Sequence, residues 1–256
     1  MSQITSAAND SAFGVAAHLP FSERIARRVK KAKAIVAAVR LIRDPNELDQ
    51  VFEIADDLAA PEMLEAIIVE LVKTPEGARA FETRPRVGKI DLHALAAHPE
   101  GTLGRAYGEH MLQNKLDPSA IPSLPSTTSH EFLRAHLYET HDIWHVATGF
   151  QTDVAGELGL QAFYLAQLPT RLAPALLAGG LFNTMLFAWG DRDRRMRAIV
   201  RGWLLGRRAR QLFGVAWADL WSTPLTEIRA KLRLEIDKVE STLDSLDARD
   251  EPALAA

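Results

Sequence analysis

HDIWHVATGFQTDVAGE, residues 141–157, reads as two helices separated by a break, and the place of that break sets both fold and chemistry. His141 and His145 are one helical turn apart and share a face, while Asp142 lies about 100° round from His141. Glu157 follows His145 by twelve residues, about 18 Å along a continuous helix and too far for the two to meet. Gly149 is placed to end the first helix, and Thr152 and Asp153 offer side-chain oxygens to start a second through Glu157, Leu160 and Phe163. A chain that folds back there brings Glu157 alongside both imidazoles.

Outward from this stretch, Thr128 and Glu131 have capping-box spacing and start the histidine helix after a proline- and serine-rich connector, DPSAIPSLPSTTS. Apolar residues recur at helical spacing almost everywhere else, and alternating β-branched runs are missing. A basic amphipathic helix is predicted from Phe21 or Ser22 to Arg43, with further helices at 47–58, 61–73 and 75–82. Ile90 to Tyr107 alternates short helix, Pro99-Glu100-Gly101 turn and new helix. Leu172 to Gly190 carries no charge over nineteen residues, long enough to span a bilayer, but Pro174, the Gly179-Gly180 pair, Asn183 and Thr184 favour a buried central helix or the wall of an apolar tunnel. Eight arginines then fall in the nineteen positions 192–210, and a last helix runs from Pro224 to about Leu246. The expected fold is all-α: one mostly helical domain over residues 19–247 with a helix-break-helix metal motif, and disordered ends at 1–18 and 248–256.

Composition narrows the function. The 256 residues are 47% hydrophobic and 25% charged with a formal charge of −3, so there is no basic bias toward nucleic acid. There is no cysteine, which excludes disulfides, thiolate catalysis and sulfur-ligated metals and leaves His, Asp and Glu as the strong ligands. The first twenty residues show neither a signal-peptide nor a transit-peptide pattern, giving a cytoplasmic protein of bacterial type as the expectation.

His141, Asp142, His145 and Glu157 are the candidate metal ligands and catalytic residues. Nitrogen and oxygen donors without thiolate suit zinc, with iron or manganese as alternatives, and two histidines with one or two carboxylates leave room for water or substrate. His93, His98, His110, His130 and His136 lack comparable spacing and read as surface or core residues. The basic first helix suits either a solvated outer face or a surface of anionic lipid, and the arginines of 192–210 suit either a solvated helix face or a site for a phosphate or a lipid headgroup. Trp203, Trp217 and Trp221 belong either to the core or to a homodimer interface.

At the same residues the chain resembles the coenzyme Q biosynthesis protein 4 family, whose signature is H-D-x-x-H followed after eleven residues by E. His141-Asp142-x-x-His145 and Glu157 match it in full. PEGTLGRAY (99–107), ETRPRVG (82–88) and GRRARQLFGVAWADLWSTPLTEIRAKL (206–232) extend the resemblance, whereas 171–210 shows no evident match. The resemblance implies a helical fold, a divalent metal usually taken as zinc at His141, Asp142, His145 and Glu157, and a role in ubiquinone biosynthesis. The implied activity is oxidative decarboxylation of a prenylated 4-hydroxybenzoate-type precursor, with hydroxyl replacing the ring carboxylate. It also implies other quinone biosynthesis proteins as partners and a peripheral place on the membrane, here the inner face of the bacterial cell membrane. The alternative is a non-catalytic prenyl-lipid-binding scaffold that organises the biosynthetic enzymes; metal-dependent hydrolysis of a phosphorylated isoprenoid is a third reading.

Overall fold

The cap signals in the sequence become real helix ends in the computed structural model, which describes residues 60–121 and 123–248. Helices α1 (Pro61–Leu71) and α2 (Pro75–Thr83) each open on a proline, whose missing N–H falls where a helix has no partner for one. Asp91 caps α3 (Leu92–Ala96) and Thr102 caps α4 (Leu103–Gln113). The long helix α5 (Ser129–Thr148) starts at the Thr128–Glu131 capping box and stops at Gly149, whose φ of 75° is left-handed. Asp153 then opens α6 (Val154–Gln167) by accepting the Gly156 N–H at 2.8 Å. α7 (Leu172–Phe187), α8 (Arg192–Arg208), α9 (Leu225–Leu232) and α10 (Ile236–Asp247) follow. The fold is a single helical domain with no strand among the described residues.

One core joins these helices. Phe132, Leu133, Ile143 and Trp144 of α5 pack with Leu160 and Phe163 of α6, Leu205 of α8, and Phe213 and Trp217. The most extensive helix pair is α6 with α8, brought to backbone contact by Gly159, Gly202 and Gly206.

The histidine helix is gripped along its length by the 82–88 and 206–232 segments and by Arg201. At the 84–88 turn Arg86 pairs with Glu139, which also accepts the Val87 N–H at 3.2 Å, and the Pro85 carbonyl accepts from His136 Nδ1 at 3.1 Å. The other His136 nitrogen accepts the Gly214 N–H at 3.0 Å. At the far end Arg229 donates to the Ala147 and Val146 carbonyls at 2.9 and 3.0 Å, and Arg201 donates to Thr148 at 3.0 Å. These are the carbonyls that α5 itself leaves unpaired. The 99–107 segment docks on the chain before α9: Leu103 N–H reaches Thr223 O at 3.0 Å and Leu225 N–H reaches Gly101 O at 2.8 Å.

Two expectations are corrected. The uncharged 172–190 stretch is not a buried central helix: Leu181, Phe182, Met185, Leu186, Phe187 and Trp189 are all exposed. The cause is Arg195, itself buried, whose guanidinium donates to Asn183 Oδ1 at 2.8 Å, Thr184 Oγ1 at 3.0 Å and Asp191 at 2.9 Å. Satisfying that cation turns the polar side chains of α7 inward and its apolar side chains outward. The last helix is also two helices, because Arg233 takes a left-handed φ of 55° and the Leu234 N–H turns back to the Arg229 carbonyl, which buries Leu234. No described helix is long and apolar enough to cross a membrane. The helices expected at 21–43 and 47–58, the disordered N-terminus and the tail beyond Ala248 lie outside the described residues.

Candidate metal centre

The break at Gly149–Asp153 folds α6 back against α5, and one ligand atom each from His141, His145 and Glu157 then lies within 4.8 Å of the others. Glu157 Oε1 is 3.0 Å from His145 Nε2, and Oε2 is 3.7 Å from His141 Nε2. Donors of a tetrahedral zinc stand about 3.3 Å apart, so these spacings bracket the value an ion requires.

Hydrogen-bond direction sharpens the fit. His145 is fully buried, and its Nδ1 lies 3.2 Å from the Phe150 carbonyl, which can only accept; the ring proton therefore sits on Nδ1. Nε2 then faces a Glu157 carboxylate oxygen at 3.0 Å. A proton on Nε2 makes this an ion pair, and a divalent cation in place of that proton would join the same two atoms. A carbonyl holding the far nitrogen is the usual support of a ligating histidine.

The surroundings are electronegative and aromatic. Burial works against a charged His141, but Glu157 and Asp142 outweigh it and raise its pKa. Burial alone would raise the Glu157 carboxyl; the two imidazoles overcome it and hold Glu157 below the usual carboxylate range. Tyr164 stacks on Trp144 at 4.4 Å and on His141 at 6.0 Å, with its hydroxyl 3.5 Å from His141 Nδ1. Burial, then the charges of Asp142 and Glu157, push the Tyr164 phenol well above its ordinary pKa, and burial with Asp142 does the same to Tyr107. Both stay protonated donors at neutral pH.

Of the four residues predicted from sequence, three converge. Asp142 contributes no atom to the convergent group; its charge instead acts on His141, Tyr107, Tyr164 and His110. Sequence reasoning missed Tyr107, Tyr164 and His110. The sequence signal for Tyr107 was its place in PEGTLGRAY, with His110 three residues on; for Tyr164 it was a position two turns beyond Glu157 on α6. His110 stacks on His145 at 6.2 Å, and burial together with His145 lowers its pKa against the opposing pull of Asp142 and Glu157. His141, His145 and Glu157 thus form a group able to hold a metal ion, whose identity the donor set leaves open among zinc, iron and manganese.

The chain is 28% identical over 218 residues to the mitochondrial ubiquinone biosynthesis protein COQ4 homolog of Anopheles gambiae, covering 83% of this chain and 74% of that one. The Danio rerio homolog is 27% identical over 225 residues, covering 85% and 79%. A Nostoc punctiforme crystal structure, whose name assigns it to ubiquinone biosynthesis, superposes with a TM-score of 0.69 at 32% identity over 80% of this chain and 98% of that one. The family model described as "Coenzyme Q (ubiquinone) biosynthesis protein Coq4" matches residues 23–238, running through the 171–210 stretch where the sequence alone showed no likeness. With three of the four signature residues folded into one convergent donor group and most of the length matched, this chain belongs to the Coq4 family of ubiquinone biosynthesis proteins.

Proposed function

We propose that the chain is a metal-dependent enzyme that removes the ring carboxylate of a prenylated 4-hydroxybenzoate-type precursor and leaves a hydroxyl at that carbon. The observation that carries the metal is the convergence of His141, His145 and Glu157, whose ligand atoms lie within 4.8 Å of one another. His141, His145 and Glu157 hold the ion in this reading, and Asp142 supplies charge that balances it. Bound there, the ion supplies Lewis acidity toward the ring carboxylate and phenol, and iron or manganese would add electron transfer that zinc lacks.

The residues around the ion do the rest. Phe150 O fixes the His145 tautomer, Glu157 stays ionised, and the protonated phenols of Tyr107 and Tyr164 can donate to a bound carboxylate. Written in balance, the carbon–carboxylate bond breaks with release of carbon dioxide and a hydroxyl from water takes its place. Two electrons and one proton leave for dioxygen, which with one further proton from solvent becomes hydrogen peroxide.

The outward apolar face of α7 is the proposed contact with lipid, while the neighbouring Arg192 and Arg194 are already paired with Asp193 and with Asp153 and Asp191. α7 crosses α6 where Gly180 meets Leu158, the residue after Glu157 in sequence. The protein then works peripherally on the inner face of the cell membrane, near other quinone biosynthesis proteins.

The test is metal analysis with turnover. Purified protein should carry about one divalent ion per chain and release carbon dioxide from a prenylated 4-hydroxybenzoate under dioxygen; His145→Ala should lose ion and turnover and keep its helical spectrum. A metal-free wild-type protein that still restores quinone synthesis in a deficient strain defeats the proposal. Metal-loaded protein that retains prenyl lipid and partner proteins yet never turns over returns the scaffold reading.

A further inference from the structure

We infer that His110 is a positioning residue of the proposed metal site: its Nε2 hydrogen-bonds the exogenous group, a water or a carboxylate, that shares the pocket with the ion. This rests on the metal reading of His141, His145 and Glu157. His110 comes from α4, a third helix, and its ring lies nearly parallel to that of His145, with 21° between planes and 6.2 Å between centroids. His110 Nε2 is sealed from solvent and has no hydrogen-bond partner. The partnerless His110 Nε2 therefore belongs to a ring stacked on that of the candidate ligand His145. A buried polar atom left unpaired is destabilising, so a partner is to be sought in what the pocket receives.

Distance separates this role from ligation. His110 stands outside the group whose donors lie within 4.8 Å of one another. A metal–nitrogen bond is about 2.1 Å, and a hydrogen bond to something already on the ion adds about 2.9 Å, so a supporting residue belongs about 5 Å out. Movement does not close the gap, because α4 is locked on two sides. A Cβ at Gly108 would meet the Ala96 backbone nitrogen at 2.5 Å, and one at Gly104 would meet the Trp221 carbonyl at 2.8 Å. A backbone seated that closely holds His110 at a fixed remove from the ion, where it can choose and orient the incoming group but not replace Glu157.

The experiment uses the full chain loaded with cobalt(II), whose visible bands report coordination, and azide as a monodentate probe that does not depend on the proposed reaction. Wild type should bind cobalt, and azide should perturb its bands. His110→Phe should keep cobalt at near wild-type affinity yet bind azide about tenfold more weakly, the worth of one hydrogen bond. His110→Gln, whose amide nitrogen can still donate, should restore most of the azide affinity, and His145→Ala should lose cobalt altogether. The inference is overturned by unchanged azide affinity in His110→Phe, by loss of cobalt from that variant, which makes His110 a ligand, or by failure of His110→Gln to rescue. Wild-type protein that takes up no cobalt brings down both this inference and the metal reading; the other outcomes leave the metal reading standing.

Discussion

Gly202→Ala tests the link between packing and chemistry most directly. A Cβ at residue 202 would stand 1.9 Å from the Gly159 carbonyl oxygen and 2.8 Å from its carbon, while ordinary contact begins near 3.4 Å. α6 and α8 must then part by about 1.5 Å, because the obstacle is backbone and no side chain can swing away. Overpacking in cores costs about 1–3 kcal/mol, and a backbone collision belongs at the top, about 3 kcal/mol. For a chain of this size that is a fall of about 6–12 °C in melting temperature. Glu157 lies two residues from Gly159 on the displaced helix. Metal sites tolerate about 0.2 Å in ligand distance, so affinity for zinc or cobalt should fall with stability. Gly190→Ala is the control, since nothing lies within 4 Å of a Cβ there. The measurements are a thermal melt by circular dichroism and a metal titration below the melt. Gly202→Ala protein that melts within about 2 °C of wild type and binds metal equally well would falsify the chain of reasoning from seam to site.

Burial pushes His136 down to about 4, below the ordinary histidine value of 6.5, so the unfolded chain binds its proton first. Stability from this group is complete above pH 6.5 and is lost as pH falls toward 4, by about 3 kcal/mol in total. Denaturation curves across that window should slope steeply for wild type and less for His136→Asn; parallel profiles would show that His136 is not the titrating group. Arg229→Met withdraws both donors from the Ala147 and Val146 carbonyls and should cost about 2 kcal/mol while weakening metal binding, because these carbonyls lie in the last helical turn of α5, which carries His145. An unchanged melt would mean that water replaces the guanidinium without loss. Phe182→Glu with Phe187→Glu alters only exposed positions and should leave the melt intact while abolishing sedimentation with anionic phospholipid vesicles; equal sedimentation would place lipid contact elsewhere.

What the sequence disclosed was what local rules govern. The Thr128–Glu131 box, Gly149 and Asp153 mark helix ends because their side chains or φ values act within a few residues, and with those ends in place the meeting of His141, His145 and Glu157 follows. What stayed hidden depends on distant partners. The inversion of α7 needs Arg195, which the sequence shows only as one arginine among eight, and an uncharged run reads as core unless its polar minority is known to have a buried cation to serve. The split after α9 needs Leu234 to be buried, with no glycine to announce it. His110 lies 35 residues before His145, and only the docking of α4 on α5 makes them neighbours.

The Arg195 knot has a consequence for how this protein meets different media. α7 is fastened to the body through one guanidinium and two of its own oxygen-bearing side chains, Asn183 and Thr184, with few large apolar residues tucked beneath it. Its anchorage is therefore indifferent to whether hydrocarbon or water bathes the outer face. An apolar helix seated by apolar burial would be coaxed off its body by detergent; one fastened by charge stays seated while its solvent is exchanged. The expected outcome is one helical spectrum in detergent and in buffer, with Arg195→Met releasing α7 in both.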